Sequence, residues 1–520
     1  MNTSIPPKIL KKCAQTDIAQ LRETFQKIWG YDDFRPPQGE IAQALFAGQD
    51  IVVVMPTGGG KSVCFQLPAL MKTGVTLVIS PLVALMENQV QELAEKQLPA
   101  AALHSELDKK AQWQTLRSLS QNRLRLLYLS PETLLSKPVW EVLTQPQVSI
   151  NALVLDEAHC LTQWGDSFRP TYRRLGTVRT ALLATKPAGI RMAIAAFTAT
   201  ADPFTQQALE TILGLQNPQI IRLNPYRSNL HLSVQTIWTP RGRKRAMVKF
   251  IQRYGQQSGL VYARTRRGTE DLARWFAAQG YRVSAYHAGL GAPQRRQIEA
   301  QWINGDCQFV VCTSAFGMGI NKADCRFVVH YEVPSLLAEY VQEVGRAGRD
   351  GKPAQALSLV SEPTGLFAPE DQRRWQFFEQ KAQQLQKAAL DLVSQIPPEG
   401  NIDEVRRQFR EGDQALALLH RNGQLRWLDP FTYKVETRQP IRSQEKQPDP
   451  AQVMKRYLWT KRCRWQVLLE EFGFTQAAKT MRCQQCDRCR QSNKSNQSNQ
   501  RSPNLPPKSA LPTQPQTNHP

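Results

Sequence analysis

The chain has 520 residues, 41% of them hydrophobic, enough for about three packed domains. Its formal net charge is +22, which points to a polyanionic partner, nucleic acid first and an anionic membrane surface second. No apolar run is long enough to span a bilayer and the first thirty residues carry no signal-peptide pattern, so a cytoplasmic protein is expected.

Residues 1–20 read as a partly basic lead-in and 21–30 as a short amphipathic helix. Gly30-Tyr-Asp-Asp-Phe-Arg-Pro-Pro-Gln38 follows. Tyr31 can stack on a base and the Gln38 amide can pair with an adenine edge, although a plain helix-to-loop junction would look the same. The apolar run Ile51–Val54 leads into Met55-Pro-Thr-Gly-Gly-Gly-Lys-Ser62 and then Val63-Cys-Phe-Gln-Leu67. That is the pattern of a strand, a glycine-rich turn and a helix N-terminus. Thr57, Gly58, Gly59 and Gly60 would let the backbone wrap a phosphate, Lys61 would reach the β and γ phosphates of ATP, and Ser62 would ligate Mg²⁺. Met55 stands where such loops usually have their first glycine. A second nucleotide motif is therefore needed, and Asn151-Ala-Leu-Val-Leu-Asp-Glu-Ala-His159 supplies it. At the C-terminal end of a parallel strand, Asp156 can hold Mg²⁺ and Glu157 can orient or deprotonate the attacking water. Together the two motifs predict an ATPase.

Within a first lobe at 21–222, apolar runs alternating with helical patterns from 51 to about 222 predict βαβ units, with strands at Ile51–Val54, Val75–Ser80, Leu124–Ser130, Ala152–Leu155 and Met192–Phe197. The alternation restarts over 223–365, with strands at Gly259–Ala263, Arg282–His287, Phe309–Thr313, Arg326–Tyr331 and Ala356–Val360. The fold class expected is α/β, two similar parallel-sheet lobes sharing one phosphate loop. Tyr340-Val-Gln-Glu-Val-Gly-Arg-Ala-Gly-Arg-Asp350 carries Gln342, Arg346 and Arg349. Two arginines three apart could be a basic surface helix. Aimed at a γ-phosphate they would be arginine fingers, an arrangement worth about 10³–10⁵ in rate.

Pro56-Thr-Gly-Gly-Gly-Lys-Ser62, Asp156-Glu-Ala-His159, Thr198-Ala-Thr200 and Gln342-Glu-Val-Gly-Arg-Ala-Gly-Arg349 resemble the motifs of superfamily 2 helicases. Phe34-Arg-Pro-Pro-Gln38, Tyr128-Leu-Ser-Pro-Glu132, Ala315-Phe-Gly-Met-Gly-Ile-Asn-Lys322 and the segment after Asp-Glu-Ala-His narrow the resemblance to the RecQ DNA helicases. It runs over about residues 21–365 and resumes over 454–489. The resemblance implies RecA-like lobes, with Tyr31, Arg35 and Gln38 holding adenine, Lys61 and Ser62 the phosphates and Mg²⁺, and Asp156 and Glu157 running hydrolysis. Arg346 and Arg349 would sense the γ-phosphate, with Gln342 beside them. Thr198 and Thr200 would couple hydrolysis to movement on DNA. Cys160–Tyr172 is similar to the family's aromatic-rich loop, so Trp164, Phe168 and Tyr172, with Arg169 between them, are expected to present faces to DNA; ordinary aromatic core packing is the competing reading. Asp166-Ser167 stands where the family commonly has His-Asp. The resemblance also implies 3′-to-5′ movement on single-stranded DNA, unwinding of duplex, and a role in recombination and repair. An RNA helicase, or a zinc-containing DNA-binding ATP switch, is the rival reading.

Residues 366–450 read as a long helix broken at Pro397-Pro398, two short helices over 401–421, and a strand pair at Gln424–Leu428 and Thr432–Glu436. Both a winged-helix-like module and a helical spacer fit this pattern. Cys463, Cys483, Cys486 and Cys489, in a module at 451–490, have the spacing of a four-thiolate metal site, with a redox Cys-x-x-Cys or an iron–sulfur cluster as alternatives. The resemblance implies Zn²⁺. The six other cysteines are scattered and read as small buried hydrophobes. Residues 491–520 are Ser-, Asn-, Gln- and Pro-rich and are expected to be a disordered tail with no further domain after the metal site. A monomer that binds DNA and no membrane is expected.

Overall fold

The computed structural model describes residues 7–56, 58–162, 169–316, 320, 322–367, 369–438 and 450–492. The strands of the first lobe are β1 (Ile51–Val54), β2 (Val75–Ile79), β3 (Ala100–Leu103), β4 (Leu126–Leu129), β5 (Ile150–Leu155), β6 (Ala193–Thr198) and β7 (Gln219–Arg222). They form one sheet in the order β3-β4-β2-β5-β6-β1-β7, with every pair parallel. The central strands read as continuous apolar runs because helices cover both faces of the sheet; β1, β2, β4 and β6 are buried along their whole length.

The second lobe contains β8 (Leu230–Ile237), β9 (Gly259–Tyr262), β10 (Val283–Tyr286), β11 (Phe309–Cys312), β12 (Phe327–His330) and β13 (Ala354–Ser361), in the order β10-β11-β9-β12-β13-β8, again all parallel. Three strands of the two lobes escape the sequence reading: β3, β7 and β8. All three lie at sheet edges, half-exposed, so their apolar signal is diluted. The helix expected over 21–30 begins earlier, at Pro7, and runs to Trp29.

After β13 comes the helix Glu370–Gln395, then β14 (Glu399–Asn401), the helices Ile402–Gln408 and Gly412–Arg421, β15 (Leu425–Trp427) and β16 (Thr432–Val435). The three strands form an antiparallel sheet in the order β14-β16-β15 around their own core of Leu392, Leu416, Leu419 and Tyr433. Helix, strand, two helices and a hairpin is the winged-helix order. The part that would read a groove in such a module, its second short helix, instead packs on the 3-10 segment Pro170–Thr177 of the first lobe. There Arg174 Nη1 donates to Pro430 O at 3.0 Å and its guanidinium lies over Trp427. Phe431 at the hairpin tip packs edge-on against Trp140. At its other end the long helix is tied to the second lobe by the buried Arg243–Asp371 pair (2.8 Å) and by Arg374 to Glu332 (3.5 Å). The module therefore bridges the two lobes.

The last unit has the helices Pro450–Trp459, Arg464–Glu471 and Thr475–Thr480. Its Trp465, Leu468 and four cysteines belong to the same buried core as Leu230, Tyr340 and Val344 of the second lobe. Trp465 Nε1 donates to Leu230 O, and Tyr457 Oη to Tyr340 Oη at 2.8 Å. Among the described residues no helix is long and apolar enough to cross a membrane.

Candidate active site and metal centre

β1 delivers the chain to the phosphate loop. Met55 is buried beneath that loop and its amide donates to Thr198 O at 2.9 Å, joining the loop to the end of β6. Gly58 and Gly60 have φ of +84° and +76°, left-handed values that favour glycine. A Cβ on Gly60 would stand 2.2 Å from Gln38 Nε2, and one on Gly59 would stand 2.8 Å from the Met55 side chain. Met55 in place of a first glycine is thus accommodated by packing under the loop. The helix Lys61–Leu70 starts at the loop, so Lys61 and Ser62 form its first turn and its unpaired N–H groups face the loop mouth. Thr57 lies outside the described residues.

Gln38 Nε2 donates to Gly59 O at 3.2 Å and Gly60 O at 3.3 Å, while its Oε1 accepts from Arg35 N at 2.9 Å. The amide expected to pair with adenine is in this structure engaged with the phosphate loop. Tyr31 is 57% exposed, its ring 5.7 Å from Phe25, and Arg35 is exposed nearby. An aromatic face and a loop-coupled glutamine thus flank one side of the site.

Asp156 and Glu157 follow β5. Asp156 N donates to Ile79 O, and its Oδ1 accepts from Glu157 N at 3.0 Å. Glu157 has φ +53°, a left-handed turn that a non-glycine residue adopts only when its surroundings impose it. That turn sends its carboxylate back over the loop, 3.6 Å from Lys61 Nζ and 3.3 Å from His159 Nδ1. Burial and the adjacent Glu157 push the Asp156 carboxyl up to about 6. Burial also works against Glu157, but Lys61, His159 and Arg346 together hold it below the usual glutamate range. A half-buried and a buried carboxylate beside one lysine leave surplus negative charge on Asp156. That is the donor set a divalent cation fits.

His159, to which the motif alone gives no role, is central. Its Nδ1 lies 2.9 Å from Thr198 Oγ1, and Thr198 Oγ1 accepts from Thr200 N at 3.1 Å and donates to Thr200 O. The Asp-Glu-Ala-His turn and the Thr-Ala-Thr turn are therefore one hydrogen-bonded unit.

The second lobe closes the site. Gln342, on the helix Leu337–Val344, donates through Nε2 to Glu157 Oε2 at 3.4 Å and lies 3.1 Å from His159 Nε2. Arg346, nine-tenths buried in the following turn, brings its charge to bear on Glu157. Arg349 Cδ lies 3.7 Å from where a Gly58 Cβ would be, and its Nη1 donates to Ile320 O at 3.1 Å. Burial, then the charge of Arg346, lowers Arg349 to about 10, still cationic near neutral pH. The sequence reading missed what holds this helix: Glu343 accepts from Arg264 Nη2 at 2.6 Å and lies 2.9 Å from His330 Nε2. The signal was available, since an acidic residue set among Tyr340, Val341 and Val344 demands buried partners once that stretch packs into a core.

Of the expected DNA-coupling residues, Trp164 and Phe168 fall outside the described residues, as do Asp166 and Ser167, while Tyr172 is fully buried in the first lobe's core and offers no face to DNA. Arg169 reaches Pro81 O and lies 3.4 Å from Glu132. Thr198 and Thr200 are buried in the active-site network described above.

The sulfurs of Cys463, Cys483, Cys486 and Cys489 all lie within 4.8 Å of one another, and all four residues are buried. Cys483 N donates to Cys463 Sγ (3.4 Å), Cys486 N to Cys483 Sγ (3.3 Å) and Cys489 N to Cys486 Sγ (3.5 Å). Amide donors aimed at sulfur stabilise thiolates, and Gln484 at φ +58° makes the tight turn between them. Four converging sulfurs with no open position fit a structural tetrahedral Zn²⁺. The five scattered cysteines whose side chains are described are all buried.

Residues 35–208 match the DEAD/DEAH box helicase family model and residues 242–351 the helicase conserved C-terminal domain. The ATP-dependent DNA helicase RecQ of Synechocystis is 48% identical over 468 residues, covering 90% of this chain and 97% of that protein. The RecQ of Pasteurella multocida is 38% identical over 341 residues, covering 66% of this chain and 52% of that protein. The solved structure of the Mycobacterium smegmatis helicase Lhr bound to single-stranded DNA and AMP-PNP shares the two-lobe fold, with a TM-score of 0.54 at 19% identity, covering 80% of this chain and 60% of that one. A phosphate loop, an Asp-Glu pair and two arginines meeting between paired parallel-sheet lobes, together with a relative matched along nearly its whole length, establish that the chain belongs to the RecQ family of ATP-dependent DNA helicases.

Proposed function

We propose that the chain is a 3′-to-5′ motor that translocates on single-stranded DNA and separates duplex in recombination and repair. The observation that carries the motor reading is the contact of Gln342 with Glu157 and His159, with Arg349 over Gly58. A nucleotide in the loop of the first lobe would be felt by the second lobe through these groups.

Lys61 and the amides at the start of its helix take the phosphates, and Gly58 to Gly60 with Thr57 shape the cradle. Ser62 and Asp156 would hold Mg²⁺, which when bound neutralises charge on the phosphate oxygens. Glu157, held ionised by Lys61, orients the water and accepts its proton. Arg346 and Arg349 stabilise the negative charge that develops on the γ-phosphoryl group. Tyr31, Arg35 and Gln38 take the base; Gln38 exchanges its hold on the phosphate loop for adenine, so that base occupancy alters the loop. Thr198 and Thr200, linked to Glu157 through His159, pass the nucleotide state towards bound DNA, with Trp164, Phe168 and Arg169 as the DNA contact. Zn²⁺ on the four cysteines is structural and adds folding energy to the last unit.

ATP hydrolysis measured alone, with single-stranded DNA and with single-stranded RNA at one salt concentration tests this reading. Unwinding of 3′-tailed but not 5′-tailed duplex fixes polarity. Equal stimulation by RNA, or preference for the 5′ tail, overturns the corresponding part.

A further inference from the structure

The seam between the first lobe and the winged-helix-like module gathers buried basic groups, and among the described residues two of their nitrogens lack a partner. Arg173 sits on the 3-10 segment Pro170–Thr177 and is only 6% exposed. His420 and Arg421 end the helix Gly412–Arg421, which packs on that segment. Arg173 Nε and His420 Nδ1 are buried with no hydrogen-bond partner among the described residues. The one charge among those residues that bears on Arg173 is the repulsive one of Arg421, and Arg173 in turn repels a proton from His420. Asp403 and Asp413, whose charges bear on the neighbouring Arg174, pair with Arg406 at 3.1 and 2.7 Å. A buried guanidinium repelled by its neighbour is costly to fold unless an anion joins it.

We propose that Arg173, Arg421 and His420 form a phosphate-oxyanion site at this seam, filled by a phosphodiester of the bound DNA strand. Guanidinium forks match a phosphate bidentately, and a neutral or protonated imidazole adds one donor. The 3-10 segment begins directly after Arg169, a residue assigned above to DNA contact, so the site lies at the edge of that surface. The strand assignment rests on the DNA-motor reading. A free phosphate has the same chemistry. The module thereby acquires a purpose beyond bridging, because an anion bound here ties it to the first lobe.

Two measurements on the full chain decide it. In the first, thermal unfolding is compared in inorganic phosphate and in chloride at equal ionic strength, for the wild type and for Arg173→Met, which keeps the apolar stem and removes the charge. Binding at the ATP loop is common to both proteins and cancels. The wild type should gain about 2 °C more from phosphate than the variant, and the variant should be the more stable protein in chloride. In the second, the affinity of a single-stranded 20-mer is measured by fluorescence anisotropy against salt for the wild type and for Arg421→Gln. The log–log slope should fall by about 0.7 for each phosphate that is no longer neutralised, with binding weakened several-fold at low salt. Both effects together assign the site to the strand. The phosphate effect alone assigns it to a free anion, and does so even if the protein fails to bind DNA and the motor reading falls. Equal phosphate responses together with an unchanged slope would overturn the site.

Discussion

Gln342 and Glu157 stand 185 positions apart in sequence and meet at 3.4 Å, the glutamine amide donating to the carboxylate across the interface between the lobes. The same amide lies 3.1 Å from His159 Nε2, and His159 is bonded to Thr198. Opening the lobes must break this bridge, so Gln342 reports closure to the residue proposed as base. Gln342→Ala should therefore lower DNA-stimulated turnover by about 10-fold or more while leaving nucleotide affinity within about 3-fold. Fluorescent-nucleotide titration alongside steady-state hydrolysis checks the split; a defect carried by affinity instead would place Gln342 in ground-state binding.

Lys61 Nζ lies 3.6 Å from Glu157 Oε1, at the start of the phosphate-loop helix. Lys61→Ala should reduce hydrolysis by at least about 10²-fold, since it removes both the proposed phosphate contact and one of the charges that hold Glu157 below the usual glutamate range. Near-wild-type turnover would mean that the phosphates bind elsewhere.

The cysteine cluster shares its core with the second lobe, so loss of metal should be felt beyond the last unit. Cys486→Ser, or prolonged chelation, should release about one zinc per chain and cut soluble yield, with lower thermal stability in the whole second lobe. Elemental analysis together with hydrogen exchange at β8 and β13 reads this. A wild type with no bound zinc and full stability would exclude the metal site.

Arg174 and Phe431 dock the module on the first lobe. Phe431→Ala should cost about 2 kcal/mol of that docking, below the usual core value because the ring is only partly buried. Faster hydrogen exchange in 412–421, with the protein still folded, is the expected signature.

His420 gives the seam a pH dependence. Burial, then the charge of Arg173, depresses its pKa to about 3 from the ordinary 6.5. The folded state therefore binds fewer protons than the unfolded state between these values, and stability is fully present above about 6.5 and declines as pH falls. His420 contributes at most about 1.4 kcal/mol per pH unit in that window. Chemical unfolding from pH 7 to 5 in phosphate-free buffer should show a shallower decline for His420→Gln than for the wild type; parallel curves would mean that His420 is not titrating into a buried positive site.

Much of the architecture is legible in the sequence. A strand covered on both faces must be apolar throughout, so β1, β2, β4, β6, β9, β11 and β12 announce themselves as short runs such as Ile51–Val54 and Phe309–Cys312. Edge strands have no such obligation. Ala100–Leu103, Gln219–Arg222 and Leu230–Ile237 are half-solvated, and their patterns resemble loops. The third strand of the module, Glu399–Asn401, escapes for the same reason. The phosphate loop and the Cys-x-x-Cys-x-x-Cys run are legible because each is local: their chemistry requires particular residues at fixed short spacing.

Residue type and short spacing settle which groups this protein can offer: a phosphate loop, an acidic strand end, two arginines and four thiols. Which of them meet is a matter of how the folded elements pack. Gln342 reaches Glu157 because two sheets pack with their loops facing. His159 joins Thr198 because β5 and β6 are neighbours, and Arg173 faces Arg421 because the module folds back on the first lobe. Such meetings join elements far apart along the chain, so no local pattern of residues encodes them.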